Sequence, residues 1–397
     1  MNEEEIPKKM IESNLFIFIL WEKAREDEEF LFREIKKKFV IKDVYEIEWK
    51  KNNFSNNLRR FYGPGKIGDV EKKTKLCKTG PLLLIIISDQ NPIFEKRRTS
   101  KGMELVNVNL FECKKQLRNK TGKGYAIHSS LTKKETNDDL TMLLGKNLED
   151  VERDINSNWD GKITKIKSDL IGQEGWKNME ELLYVLNSTV NYIVLRNYEG
   201  ILDNLTEYRH ADIDILTDEY LRIPYIANGG KASFNEKFPK TVKIGNDEIK
   251  FDFGYPEDGY YDEKWAKEIL KKRVMKDGFF VPTSEDYFYS LFYHMIFHQK
   301  RINQEYKERL YRLSKNLKVN QDKEIFENYE KAKKFLEKYM KNMKYQFPSS
   351  IKYKIRHNKF FRLMNVSILL WRTQGIKFLF QAIKNKIKRT FLKLEKS

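Results

Sequence analysis

His210-Ala211-Asp212-Ile213-Asp214-Ile215-Leu216 reads as a β-strand that carries two carboxylates on one side. Side chains at i and i+2 of a strand project to the same face. Asp212 and Asp214 therefore stand together, while Ala211, Ile213 and Ile215 turn towards a core. Two carboxylates this close repel each other, and a divalent cation relieves that repulsion. Mg²⁺ in particular takes carboxylate oxygens together with substrate phosphates. Working outward, an amphipathic helix is predicted over residues 178–189 and a strand over Tyr192–Arg196. A further strand is predicted over residues 249–253 (IKFDF), where Asp252 faces away from Phe251 and Phe253. A D-x-D string alone is a weak signal. The apolar neighbours and a third acid on the next strand make Asp212, Asp214 and Asp252 candidate ligands for Mg²⁺ or Mn²⁺ and candidate catalytic groups.

From about Met179 to Phe253 the order is helix, strand, polar turn, strand with D-x-D, strand with a third Asp. This pattern resembles the polymerase-beta-like nucleotidyltransferase superfamily. The resemblance implies a mixed catalytic sheet, metal binding by Asp212 and Asp214, and a metal or general-base role for Asp252. It also implies a nucleoside triphosphate or nucleotide-activated donor and an in-line displacement at phosphorus. One departure stands out. The superfamily has a Gly-Ser pair after its first strand, whereas this chain has Arg196-Asn197-Tyr198-Glu199-Gly200. Arg196 offers a charged fork in place of backbone donors, and Asn197 and Glu199 join it as candidate substrate-binding residues. His210, just before the D-x-D, is a further candidate for a phosphate or a metal, although a lone His beside a strand is more often a structural hydrogen-bonder.

Downstream the pattern turns helical, with helices predicted over residues 263–274, 284–299, 303–315 and 321–343, the last ended by Pro348. Nucleotidyltransferases often follow the sheet with a helical domain that binds the acceptor, and residues 263–345 would be that domain. His294 and His298 lie at i and i+4, next to Lys300. The spacing suits zinc, but the intervening Met295, Ile296 and Phe297 lack the acid that zinc peptidases use. Packing is the plain reading, with His294 and Lys300 also candidates to reach a substrate phosphate.

Towards the N-terminus, residues 15–20 (LFIFIL) and 82–88 (LLLIIIS) are short apolar runs that read as buried strands. Residues 26–38 read as a helix, 39–49 as a strand, 107–119 as a helix, 124–128 as a strand and 134–144 as a helix. The order β-α-β-β-α-β is that of a ferredoxin-like sandwich. Lys23 after the first strand, Thr79-Gly80-Pro81 before the third and Ala126-Ile127-His128-Ser129-Ser130 near the end faintly resemble nucleoside diphosphate kinase. The resemblance implies a phosphate-binding Lys23 and a phospho-accepting His128. Glu22-Lys23-Ala24 and Ser129 depart from that family's pattern. A domain that packs or recognises nucleotide without catalysis is the alternative.

The chain has 397 residues, too many for one small core, and a formal net charge of +18. That surplus suits an anionic partner, although much of it follows from a general richness in Lys. Two cysteines, Cys77 and Cys113, give neither a disulfide framework nor a metal spacing. No signal peptide and no apolar run of about 20 residues is read, so a cytoplasmic location is expected. Residues 352–396 mix Lys and Arg with Phe, Leu, Ile and Trp371 at helical spacing. Such a tail can lie on the inner membrane face, pack on the protein or bind nucleic acid.

The expectation is thus an α+β chain in three parts. Residues 1–148 form a ferredoxin-like domain, 149–262 a nucleotidyltransferase-like catalytic domain, and 263–397 a helical domain with a basic tail. The expected function is metal-dependent nucleotidyl or phosphoryl transfer to a hydroxyl or phosphate of a small sugar, a polyol or a surface polysaccharide. Phosphotransfer through His128, and non-enzymatic binding of nucleic acid or an anionic membrane, are the alternatives.

Overall fold

The protein is a mixed α+β chain that divides into two compact units, Met1–Phe61 with Ile67–Ile171 and Tyr62–Lys66 with Gly172–Ser397. The structure, a computed structural model, describes residues 14–63, 70–99, 102–155, 157–202, 212–230, 240–299, 301–302, 304–319 and 323–347, with 367, 368 and 371. The boundary at 171/172 puts residues 149–171 with the first unit. The basic tail therefore lies almost wholly outside the described residues, as do His210 and Lys300.

The first unit is built on β1 (Leu15–Leu20), α1 (Glu28–Lys36), β2 (Val40–Ile47), α2 (Phe54–Tyr62), α3 (Val70–Cys77) and β3 (Leu82–Ser88). A hairpin of β4 (Phe94–Thr99) and β5 (Gly102–Asn107) follows. Then come α4 (Val108–Thr121), β6 (Ile127–Ser129), α5 (Lys133–Leu144), α6 (Leu148–Asp154) and β7 (Thr164–Ile166). Its main sheet has the order β6-β1-β3-β2-β7. The first four strands pair antiparallel throughout, and β7 adds parallel to β2. Every residue of β1 and β3 is buried, which is why both are unbroken apolar runs rather than alternating ones. A register shift between Ile41 and Asp43 brings Ile41 and Val44, three residues apart, both into the interior.

Near Gly80 the backbone is pinned by Glu22, whose carboxylate accepts from the Gly80 N–H at 2.5 Å. A Cβ at that position would lie 2.6 Å from Glu22 Cδ, so only glycine fits without displacing the acid. Asp169 ties α2 to the end of the unit by accepting from Lys50 N, Asn53 Nδ2 and Asn57 Nδ2. Residues 145–171 thus contain a helix, a strand and an anchor for α2.

The second unit starts with α7 (Met179–Thr189), β8 (Tyr192–Val194), β9 (Asp212–Thr217) and α8 (Ile223–Ile226), followed by β10 (Lys240–Ile244) and β11 (Asp247–Gly254). Asn178 caps α7 by accepting from Glu181 N at 2.9 Å. The sheet order is β10-β11-β9-β8. β9 runs parallel to β11 and antiparallel to β8, and β10 pairs antiparallel with β11.

Helices complete the unit: α9 (Glu263–Lys271), α10 (Ser284–Tyr293), α11 (Gln304–Leu317) and α12 (Tyr329–Asn342). Their shared core includes Trp265, Phe288, Phe292, Ile296, Leu336 and Met340. Between α9 and α10 lies an unforeseen hairpin, β12 (Val274–Lys276) and β13 (Phe279–Val281), turned by Asp277-Gly278 with both residues at positive φ. The helix expected over 284–299 is α-helical only to Tyr293. Residues His294–Gln299 wind more widely, as a π-helix.

Candidate functional site

The site is assembled by strand register. Asp252 of β11 pairs with Asp214 of β9, and Lys250 with Asp212. In a parallel pair, side-by-side residues project to the same face. Asp212, Asp214, Lys250 and Asp252 therefore share one face of the sheet. The other face is sealed by Ile213, Ile215, Phe251 and Phe253, all buried. The alternation of acids with large apolar residues commits the carboxylates to that common face.

Burial, then the nearby Asp252 and Asp214 carboxylates, push the Asp212 carboxyl above its usual range, with Lys250 pulling the other way. Asp214 is held differently. Arg196, two residues past the end of β8, grips it with two nitrogens of its guanidinium, Nη2 to Oδ1 at 2.6 Å and Nε to Oδ2 at 3.1 Å. Leu195 N donates to Asp214 O at 2.9 Å, which fixes the approach of the two strands. Arg196 is only 5% exposed. Burial alone would weaken its charge, but Asp214 and the phenols of Tyr260 and Tyr261 more than reverse this, so the guanidinium is held more firmly protonated.

The remaining Arg196 nitrogen, Nη1, donates to the Tyr260 hydroxyl at 2.7 Å. That hydroxyl also makes a short hydrogen bond with His294 Nδ1. The His298 ring stacks flat on Tyr260 with centroids 3.8 Å apart. The π-helical turn thus delivers both histidines to the tyrosine that backs the arginine. Arg196 was expected to hold a substrate phosphate. In the structure its fork is committed to Asp214 and Tyr260, because a buried guanidinium needs a carboxylate and hydrogen-bond acceptors close by. His294 likewise meets Tyr260.

A small cavity lies against Arg196, Asp214, Asp252, Asp258, Tyr260 and Tyr261. Its water-accessible volume is about 10 Å³, roughly the room that one water needs. Among the described residues, no group of three or more His, Cys, Asp or Glu side chains is gathered closely enough to hold a metal ion. The three aspartates share a face, but with Asp214 turned to Arg196 they do not close a three-ligand cage.

The segment after Arg196 forms a second cluster. Asn197 adopts a left-handed conformation, φ 54°. Its Oδ1 accepts from Arg309 Nη1 of α11 at 2.7 Å. Arg309 also donates to the Tyr287 hydroxyl at 3.3 Å, and that hydroxyl donates to Glu199 Oε1 at 2.9 Å. Arg309 was missed in the sequence. It lies far along the chain in a helix whose pattern gives only amphipathicity.

In the first unit, Lys23 Nζ is bound to Glu26 at 2.8 Å. His128 Nε2 meets Asp139 Oδ2 at 2.9 Å, and the ring lies edge-on to Phe61. Burial pushes the His128 imidazole down in pKa, only partly offset by Asp139. A nucleophile there would act from a nearly enclosed position, its side chain 12% exposed.

No protein-family model, curated protein or solved structure matches the chain.

Proposed function

We propose that the second unit is a metal-assisted phosphoryl- or nucleotidyl-transfer centre with a nucleotidyltransferase-like sheet. The observation that carries this reading is the side-by-side pairing of Asp214 with Asp252 on two parallel strands, one alternate residue along from Asp212. The Asp212 carboxyl, raised by burial first and by Asp252 and Asp214 next, is consistent with this reading, since neighbouring acids without a cation hold protons more tightly. The first unit's order β6-β1-β3-β2, antiparallel throughout, supports a ferredoxin-like reading of that unit.

The donor set suits a hard cation. Mg²⁺ is commonly held by one or two carboxylates with substrate phosphates completing its shell. Asp212 and Asp252 would hold it, leaving Asp214 on Arg196. A divalent ion there supplies neutralisation of the charge that builds on a transferring phosphoryl group. Asp252 would also orient the acceptor hydroxyl and take its proton. Arg309, reaching the segment after β8, would contact donor phosphates. Tyr260 and His294 would act through Arg196, fixing the orientation of Asp214.

The test is a screen of nucleoside triphosphates with Mg²⁺ or Mn²⁺, read as pyrophosphate against orthophosphate release. Asp252→Asn and Asp212→Asn should each lower turnover by about 100-fold or more, the scale of losing one transition-state contact, with the circular dichroism unchanged. Undiminished turnover in both variants, or no nucleotide consumed by the wild type, would sink the reading. The rival, phosphotransfer through His128, predicts acid-labile label from γ-labelled nucleotide that is lost in His128→Ala and kept in Asp212→Ala.

A further inference from the structure

The hairpin β4–β5 stands apart from the main sheet of its unit as a two-stranded ribbon. Its register sorts its side chains by chemistry. Lys96 pairs with Leu105, Arg98 with Met103, and Phe94 with Asn107, and these residues share one face. Met103 is 66% exposed, Leu105 59% and Phe94 39%, and Lys96 and Arg98 are exposed as well. Ile93, just before the ribbon, is also exposed.

Both acids of the ribbon lie on the opposite face, and each has a partner there. Glu95 binds Arg97 at 2.6 Å, and Glu104 accepts a short hydrogen bond from Thr99. Val106 on that face is buried against the unit. At the Phe94 end the first face turns inward, with Asn107 buried and the Phe94 ring 6.5 Å from that of the core residue Phe16, whereas towards the turn it presents Lys96, Arg98, Met103 and Leu105 with no acid among the described residues.

We infer that the outward part of this face docks on an anionic lipid surface, with Met103 and Leu105 entering the headgroup boundary and Lys96 and Arg98 held at the phosphates. Long basic side chains can bury their stems and keep their charge at such a boundary. Four outward side chains are few for a stable protein partner, which presents some 20–30 residues a side. The outward apolar side chains, Met103 and Leu105, are not aromatic, whereas single-stranded nucleic acid favours aromatic stacking. The proposal is independent of the transferase reading, because it uses residues of the other unit alone.

The experiment is co-sedimentation of the full chain with phosphatidylcholine vesicles, with and without phosphatidylserine, at low and high salt. Two double variants are compared with wild type: Lys96→Glu with Arg98→Glu, and Met103→Ser with Leu105→Ser. All four positions are exposed, so the melting temperature should stay near that of the wild type. The wild type should pellet only with the anionic vesicles, and less so as salt rises. Each double variant should bind about tenfold more weakly, as expected when interfacial charge or apolar contact is removed. Equal binding by wild type and both variants would overturn the proposal, as would equal binding to neutral vesicles or none to either. RNA or DNA binding that is lost in the charge variant without any vesicle binding would assign the face to nucleic acid instead.

Discussion

Arg196 has all three of its guanidinium nitrogens engaged, two on Asp214 and one on Tyr260, in surroundings that leave it almost no water. Removing one partner of such a pair leaves a buried charge uncompensated. Arg196→Met should cost about 3–5 kcal/mol in chemical denaturation. The double variant Arg196→Met with Asp214→Leu should recover much of that loss, because no lone charge then remains. Asp212 has the opposite character. Its carboxyl is raised, so the folded protein binds that proton more tightly than the unfolded chain does. Stability tied to Asp212 is therefore present below the usual carboxylate range and falls as pH rises through the raised value. Asp212→Asn should raise the melting temperature at neutral pH, and the advantage should vanish below about pH 4. A gain that persists unchanged at low pH would mean that the carboxylate cluster is not its source.

α7 shows how far local chemistry alone fixes an element. Its start is set by Asn178, whose side chain accepts from Glu181 N, and its inward residues Leu182, Leu183 and Leu186 are buried. Asn178→Ala should cost about 1 kcal/mol in urea unfolding with little change in slope. Such elements were legible in the sequence: the apolar runs of β1 and β3, the alternation around Asp212 and Asp252, and the amphipathic helix over residues 178–189. Their cues lie within a few residues. The β4–β5 ribbon was not legible, because Phe94–Thr99 is charged and mostly exposed and its order comes from pairing. Asp277-Gly278 is a hairpin signal that could have been read from the sequence. The widening of the helix at His294 has no comparable local cue, and neither does the reach of Arg309 to Asn197. The three aspartates could be found because strand periodicity places them. The role of Arg196 could not, because burial and its two partners decide it.

Across the whole chain, a net charge of +18 makes self-repulsion a general term against compaction. Screening shortens its reach to about 10 Å at 0.1 M salt, so the melting temperature should rise from low to moderate ionic strength. A steady fall would indicate that local ion pairs such as Glu26 with Lys23, Lys78 and Lys123 outweigh the repulsion. The same Lys richness bears on the order in which the first unit can form. β1 has its neighbours on both sides, β3 and β6, far later in the chain. During synthesis LFIFIL therefore emerges well before anything can cover it, and LLLIIIS joins it before β6 exists. Short uncharged runs of this kind associate readily between chains, and the lysines upstream of β3 act as gatekeepers against that. Folding yield, more than equilibrium stability, is the quantity that this delayed pairing leaves exposed to heat and crowding of nascent chains.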